Sequence, residues 1–139
     1  MFTKSNLLAS LVGAIFLLFG GYLVWEVLTA DFFAQHAGSA TGVWKEVNNL
    51  VYVALGCLIE AFFFATIYGK WANGVHGAKG GFEFGALFGG FTGFGIGFLY
   101  YGVANLSDLT GVLVGGVIEM LFMGIAGALI AMVYKASSK

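Results

Sequence analysis

Four long apolar stretches, joined by short polar connections, make up most of the chain. They cover about 7–28, 50–68, 81–103 and 109–134. Each is close to the roughly 20 residues that carry a helix across a bilayer. Strands of a membrane barrel would alternate apolar and polar side chains over about ten positions. These stretches are apolar throughout, which leaves helices. The expected fold is all-α membrane: a four-transmembrane-helix bundle that fills 1–139 as a single domain.

The third stretch carries the strongest pattern. Glycine recurs at Gly81, Gly85, Gly89, Gly93 and Gly97, with Phe84, Phe88, Phe91, Phe94 and Phe98 between them. In water each interior glycine costs a helix about 1 kcal/mol relative to alanine. In a bilayer no solvent competes for the backbone hydrogen bonds, so the segment stays helical. A spacing of four sets the small residues on one slowly winding face, where another backbone can approach closely. The row predicts glycine-zipper packing, within the chain or between copies of it.

The connections fix the remaining picture. Residues 29–46 carry Asp31, His36, Lys45 and Glu46, with Phe32, Phe33 and Trp44 suited to lie against headgroups. Residues 69–80 carry Lys70, His76 and Lys79, and Asn105, Ser107 and Asp108 form a tight turn. The apolar run from Leu7 is longer than a signal-peptide core, and Leu28-Thr29-Ala30 is a poor cleavage site. It is therefore read as a transmembrane helix preceded by a polar lead ending at Asn6. Lys4, Lys70, Lys79, Lys135 and Lys139 fall on one side of the predicted bundle and Lys45 on the other. That bias places both termini in the cytoplasm.

Composition excludes several functions. Only 9% of residues are charged, far below the roughly 25% of soluble domains, so the lipid bilayer is the expected partner. A net charge of −1 and the lack of any basic run argue against nucleic acid. There is no P-loop sequence and no nucleophile–base set at one depth, so no enzymatic machinery and no cofactor are expected. Asp31 and His36 make too small a ligand set for zinc, and both histidines read as solvated loop residues. Cys57 reads as a small packing residue.

Glu60 and Glu119 are the candidate chemistry. Each lies about ten residues from a helix end, hence about 15 Å deep at 1.5 Å per residue. A lone ionised carboxylate near the midplane costs at least about 2.5 kcal/mol. The two acids recur in matched surroundings, Gly56-Ile59-Glu60-Phe63 and Gly115-Ile118-Glu119-Phe122. Gly13-Ala14-Ile15-Phe16 and Gly85-Ala86-Leu87-Phe88 match likewise, which suggests a duplicated helical hairpin. If the copies face each other, the two acids can share a proton or hold one cation. The alternatives are protonated acids bonded to backbone carbonyls, Thr92 or tyrosines, or contact with a partner protein or pigment. Glu26 and Glu83 sit at helix ends and read as structural.

The plan of a GAIF…FGGYLVW helix, an HGAKGGFEFGALFGGFTGFGIG helix and a last helix ending FMGIAGALIAMVYK resembles small four-helix bacterial inner-membrane families of unknown function. The resemblance implies a bacterial inner-membrane protein and no activity. Two functions remain. One is an accessory or scaffold subunit, bound to other membrane subunits or to itself. The other is a small proton- or cation-coupled transporter or channel that uses Glu60 and Glu119.

Overall fold

The computed structural model describes residues 2–137. Lys139, used above for orientation, lies outside the described residues. The helices are α1 Lys4–Leu28, α2 Ala30–Gln35, α3 Leu50–Trp71, α4 Ala78–Val103 and α5 Leu109–Ser137. All except α2 are long and apolar enough to cross a membrane. The protein is thus an all-α helical bundle of the integral-membrane kind.

Polar side chains set the helix starts. Thr3 Oγ1 accepts from the Asn6 amide at 3.2 Å at the head of α1, and Asn49 Oδ1 from Tyr52 at 3.4 Å at the head of α3. Asp108 Oδ1 accepts from the Gly111 amide at 2.8 Å and starts α5. Such caps satisfy amides that have no partner inside the helix.

Two helices widen into π-helix in the half away from the termini, α1 over Tyr22–Leu28 and α4 over Phe91–Ile96. Hydroxyls support both. Thr29 donates both its amide (3.0 Å) and its Oγ1 (2.7 Å) to the Val24 carbonyl, five residues back. Thr92 Oγ1 reaches the carbonyls of Phe88 and Gly89 at 3.2 and 3.3 Å. In α4, Gly93 and Gly95 also weaken the regular helix.

The tightest pairing is α4 against α5, while α1 packs on α3 and then on α5. A Cβ at Gly81 or Gly85 would run into the backbone of Gly127 or Met123. At Gly89 it would lie 2.5 Å from the Glu119 carbonyl oxygen, and at Gly93 2.8 Å from Glu119 Cβ. Gly97 is looser, with Val112 at 3.5 Å. Glycine at these positions lets α4 and α5 meet backbone to backbone. By contrast α3 touches α4 mainly through rings: Phe64 lies 5.1 Å from both Phe84 and Phe88, and Tyr68 5.5 Å from Phe84.

The core is confined to the half of the bundle that holds the termini. It comprises Ala9, Ala61, Phe64, Ala65, Tyr68, Met123, Ala126, Ile130 and their neighbours. In α3 burial starts at Ala61, with residues 50–60 unburied, and nothing is buried in 22–28 or 91–103. The phenylalanines divide accordingly. Phe64, Phe84 and Phe122 fill the core, whereas Phe19, Phe63, Phe91 and Phe98 lie on the outside, where lipid suits them.

The opposite end is held by its connections. Gly38 and Ala40 donate to the Leu106 and Asn105 carbonyls, both at 3.0 Å, and Asp108 donates to the His36 carbonyl at 2.9 Å. His36 Nδ1 bonds Asp108 Oδ2 at 2.7 Å. His36 is therefore a partnered residue, contrary to the solvated role expected of it. His76 departs from that expectation too. Its ring stacks on Tyr134 at 4.9 Å, and its Nδ1 is buried. The connection after α3 turns through Asn73 and Gly74, both at positive φ, and folds the imidazole back under the bundle.

Candidate functional site

Along α5 the surroundings change twice. From Gly111 to Glu119 the helix borders a cavity of about 550 Å³. From Phe122 to Ala131 it enters the buried core. At Tyr134 it reaches a buried polar cluster.

The cavity lies where α1 and α4 are π-helical. Trp25 comes from the widened end of α1, and Thr92 and Gly93 come from the widened turn of α4. Tyr100, Tyr101, Phe33 of α2 and the loop residue Trp44 complete an aromatic wall. Phe33 rests on Gly115 at 3.5 Å from where a Cβ would be, and its ring lies 5.3 Å from Trp25. The lining is almost wholly apolar, and Glu119 is the carboxylate among its residues. Glu119 Oε1 accepts a long hydrogen bond of 3.4 Å from Thr92 Oγ1. One turn further, Phe122 and Met123 close the way with 7% and 1% of their surface exposed. The cavity is thus a blind vestibule. It runs from the end held by the loops toward the middle of the bundle, about 12 Å along α5 at 1.5 Å per residue.

Glu60 sits differently. It lies midway along α3, exposed on the helix surface and outside the residues that line the vestibule. Among the described residues it has no hydrogen-bond or ion-pair partner, yet it lies within electrostatic reach of Glu119. Of the predicted row, Gly93 and Gly97 border the vestibule, while Gly81, Gly85 and Gly89 lie in the seam with α5. Among the described residues no three His, Cys, Asp or Glu side chains gather as metal ligands. Asp31 is exposed, and His36 is engaged with Asp108.

At the other end the polar cluster involves residues that carried no expectation of function. Tyr134 Oη donates to Asn6 Oδ1 at 2.7 Å and approaches the Ala65 carbonyl at 3.0 Å. Asn6 Nδ2 donates to Thr66 Oγ1 at 3.0 Å, and Thr66 donates to the Phe62 carbonyl at 2.7 Å. Asn6 is only 2% exposed, so the polar lead expected up to Asn6 in fact enters α1 at Lys4 and buries its asparagine. Thr3, Asn6, Thr66, Lys70 and Tyr134 border a second pocket of about 240 Å³. The available signal was a lone asparagine one helix turn from a threonine cap.

Fold and site together define an all-α membrane-type bundle with an aromatic vestibule ending at an acid. Comparison with protein-family models, curated proteins and solved structures finds no match to the chain. The functional reading therefore rests on this geometry.

Proposed function

We propose that this is a small non-enzymatic integral membrane protein that handles a proton or monovalent cation at Glu119, with Glu60 as the second acid. The observation that carries the reading is the vestibule, lined by the aromatic wall and ending at Glu119 above the plug of buried Phe122 and Met123. Intramembrane acids mark ion pathways by default, because an ionised carboxylate in the bilayer must be paired or hydrated. A second, polar pocket lies beyond the plug, and such a division suits access from one side at a time. The test is flux into liposomes holding the purified protein, with a pH-sensitive dye inside and a potassium diffusion potential imposed. Wild type carries protons or a coupled cation, and Glu119→Gln or Glu60→Gln abolishes the flux. An unchanged rate in the double variant removes these acids from the pathway.

A second reading has its own support. Residues 50–60 are unburied, and Glu60 among them is an exposed acid at mid-helix with no hydrogen-bond or ion-pair partner among the described residues. A carboxylate facing lipid there costs at least about 2.5 kcal/mol, which a covering subunit or second copy would relieve. In this reading the protein is an accessory or scaffold subunit. Native mass spectrometry after gentle extraction would then show other chains bound, whereas a bare monomer under several mild conditions would end it.

The same proposal takes the α4 row as a glycine zipper and the chain as a duplicated hairpin. In support, α1 pairs with α3 and α4 with α5, and the first helix of each pair carries the π-helical stretch. Lysine placement supports cytoplasmic termini, and the resemblance noted above supports a bacterial inner membrane.

A further inference from the structure

We infer that the vestibule binds lipophilic organic cations, an inference that rests on Glu119 being a cation site. The lining decides the chemical class. A small hard cation such as calcium or magnesium takes six or more oxygen ligands or keeps its water. The vestibule offers it one carboxylate and the hydroxyls of Thr92, Ser107, Tyr100 and Tyr101, among apolar walls, too few charged oxygens to replace its water. What the walls supply instead is rings: Trp25, Phe33, Trp44, Tyr100 and Tyr101. Aromatic faces attract cations, and they suit quaternary ammonium-like groups that shed little hydration on entry. The volume of about 550 Å³ lies in the range of pockets that hold whole small organic molecules. One carboxylate at the closed end sets the sign and the valence. A large, delocalised, singly charged cation satisfies each condition, with its charge toward Glu119 and its apolar groups against the rings.

The position suits the same ligand. Such cations gather at the membrane interface, and the wall lies among residues flanking the loops, where tyrosine and tryptophan settle. Trp44 is 87% exposed, so it is placed to meet an arriving ligand before Glu119 does.

The test uses the whole chain in lipid nanodiscs, titrated with radiolabelled tetraphenylphosphonium and, separately, with tetraphenylborate. The two ions share size and shape and differ in sign. Tetraphenylphosphonium is expected to bind saturably, one per chain, above empty nanodiscs, and tetraphenylborate is not. Glu119→Gln should weaken binding about tenfold or more, because it removes the counter-charge from a low-dielectric site. Trp44→Ala, a change at an exposed loop position, should weaken it about threefold, the scale of one exposed cation–π contact. It also serves as the independent variant if Glu119→Gln fails to fold. Equal binding of the two ions would mean that the vestibule is simply a lipid-filled groove and would overturn the inference. So would unchanged binding in both variants. Glutamate-dependent proton flux without tetraphenylphosphonium binding would sink this inference and leave the proposed function standing. Binding without flux would do the reverse.

Discussion

One hydroxyl ties three helices together at the termini end. Tyr134 of α5 bonds Asn6 of α1 and meets the Ala65 carbonyl of α3. Gly69 makes room for it, since a Cβ there would sit 2.6 Å from Tyr134 Oη. Tyr134→Phe keeps the ring and its stacking on His76 but removes the hydroxyl's bonds to Asn6 and Ala65. The expected loss is about 1–2 kcal/mol, between the usual cost of an unmet buried group and the smaller values found in membranes. Thermal unfolding in detergent would show a lowered midpoint, and an unchanged midpoint would mean that the bond contributes nothing net. The sequence shows Asn6 and Tyr134 only as polar residues near predicted interfaces. Their pairing spans nearly the whole chain, and no local pattern encodes a contact at that separation. Glu60 and Glu119 stand out for the opposite reason. An acid in an apolar run is visible without any partner, but whether it faces a cavity or lipid depends on how the helices are rotated.

At the scale of the helix, α4 separates glycines that make contact from glycines that do not. A methyl at Gly85 would strike the Met123 carbonyl, whereas nothing lies within 4 Å of a Cβ at Gly102. Gly85→Ala is therefore expected to destabilise the protein by about 1–3 kcal/mol, the range for overpacking. Gly102→Ala should be neutral or stabilising by up to about 1 kcal/mol, because alanine is the better helix former. Unfolding midpoints of the two variants side by side would check this, and equal midpoints would mean that α4 and α5 can move apart at no cost. Four long apolar helices were legible in the sequence, because in a bilayer length and hydropathy nearly suffice to specify a spanning helix. The π-helical stretches were not. Each depends on one threonine hydroxyl and on how neighbouring helices pack, and neither leaves a periodic trace. The vestibule was hidden with them, since Trp44 reads as a headgroup contact until the widened helices bring it and Trp25 round a common space.

For the molecule as a whole, the two ends differ in what holds them. Packed rings and small residues, with the Tyr134–Asn6–Thr66 hydrogen bonds, hold the termini end, whereas the vestibule end depends on a polar clasp in which Asp108 is central. Its carboxyl is held below the usual carboxylate range, first by the Gly111 amide that donates to it and then by His36 beside it. A depressed acid stabilises the fold fully above its unfolded value of about pH 4 and loses that contribution as pH falls through its lower folded value. The clasp should therefore be intact at pH 5–7 and open only in stronger acid, as the carboxylate takes up a proton. Hydrogen exchange at Gly38 and Ala40 reports on it directly, because their amides close the clasp onto Leu106 and Asn105. With intrinsic exchange corrected for, protection of these amides should fall below about pH 4 in the wild type. Asp108→Ala should lower that protection at every pH and remove the acid dependence. Equal protection at pH 6 and pH 3, with the variant indistinguishable from wild type, would show that the loops hold each other without Asp108. A working clasp has a functional consequence, because Phe33 and Trp44 flank His36 in sequence and form part of the vestibule wall. Opening it should widen the mouth above Glu119 while the core from Phe122 onward stays closed.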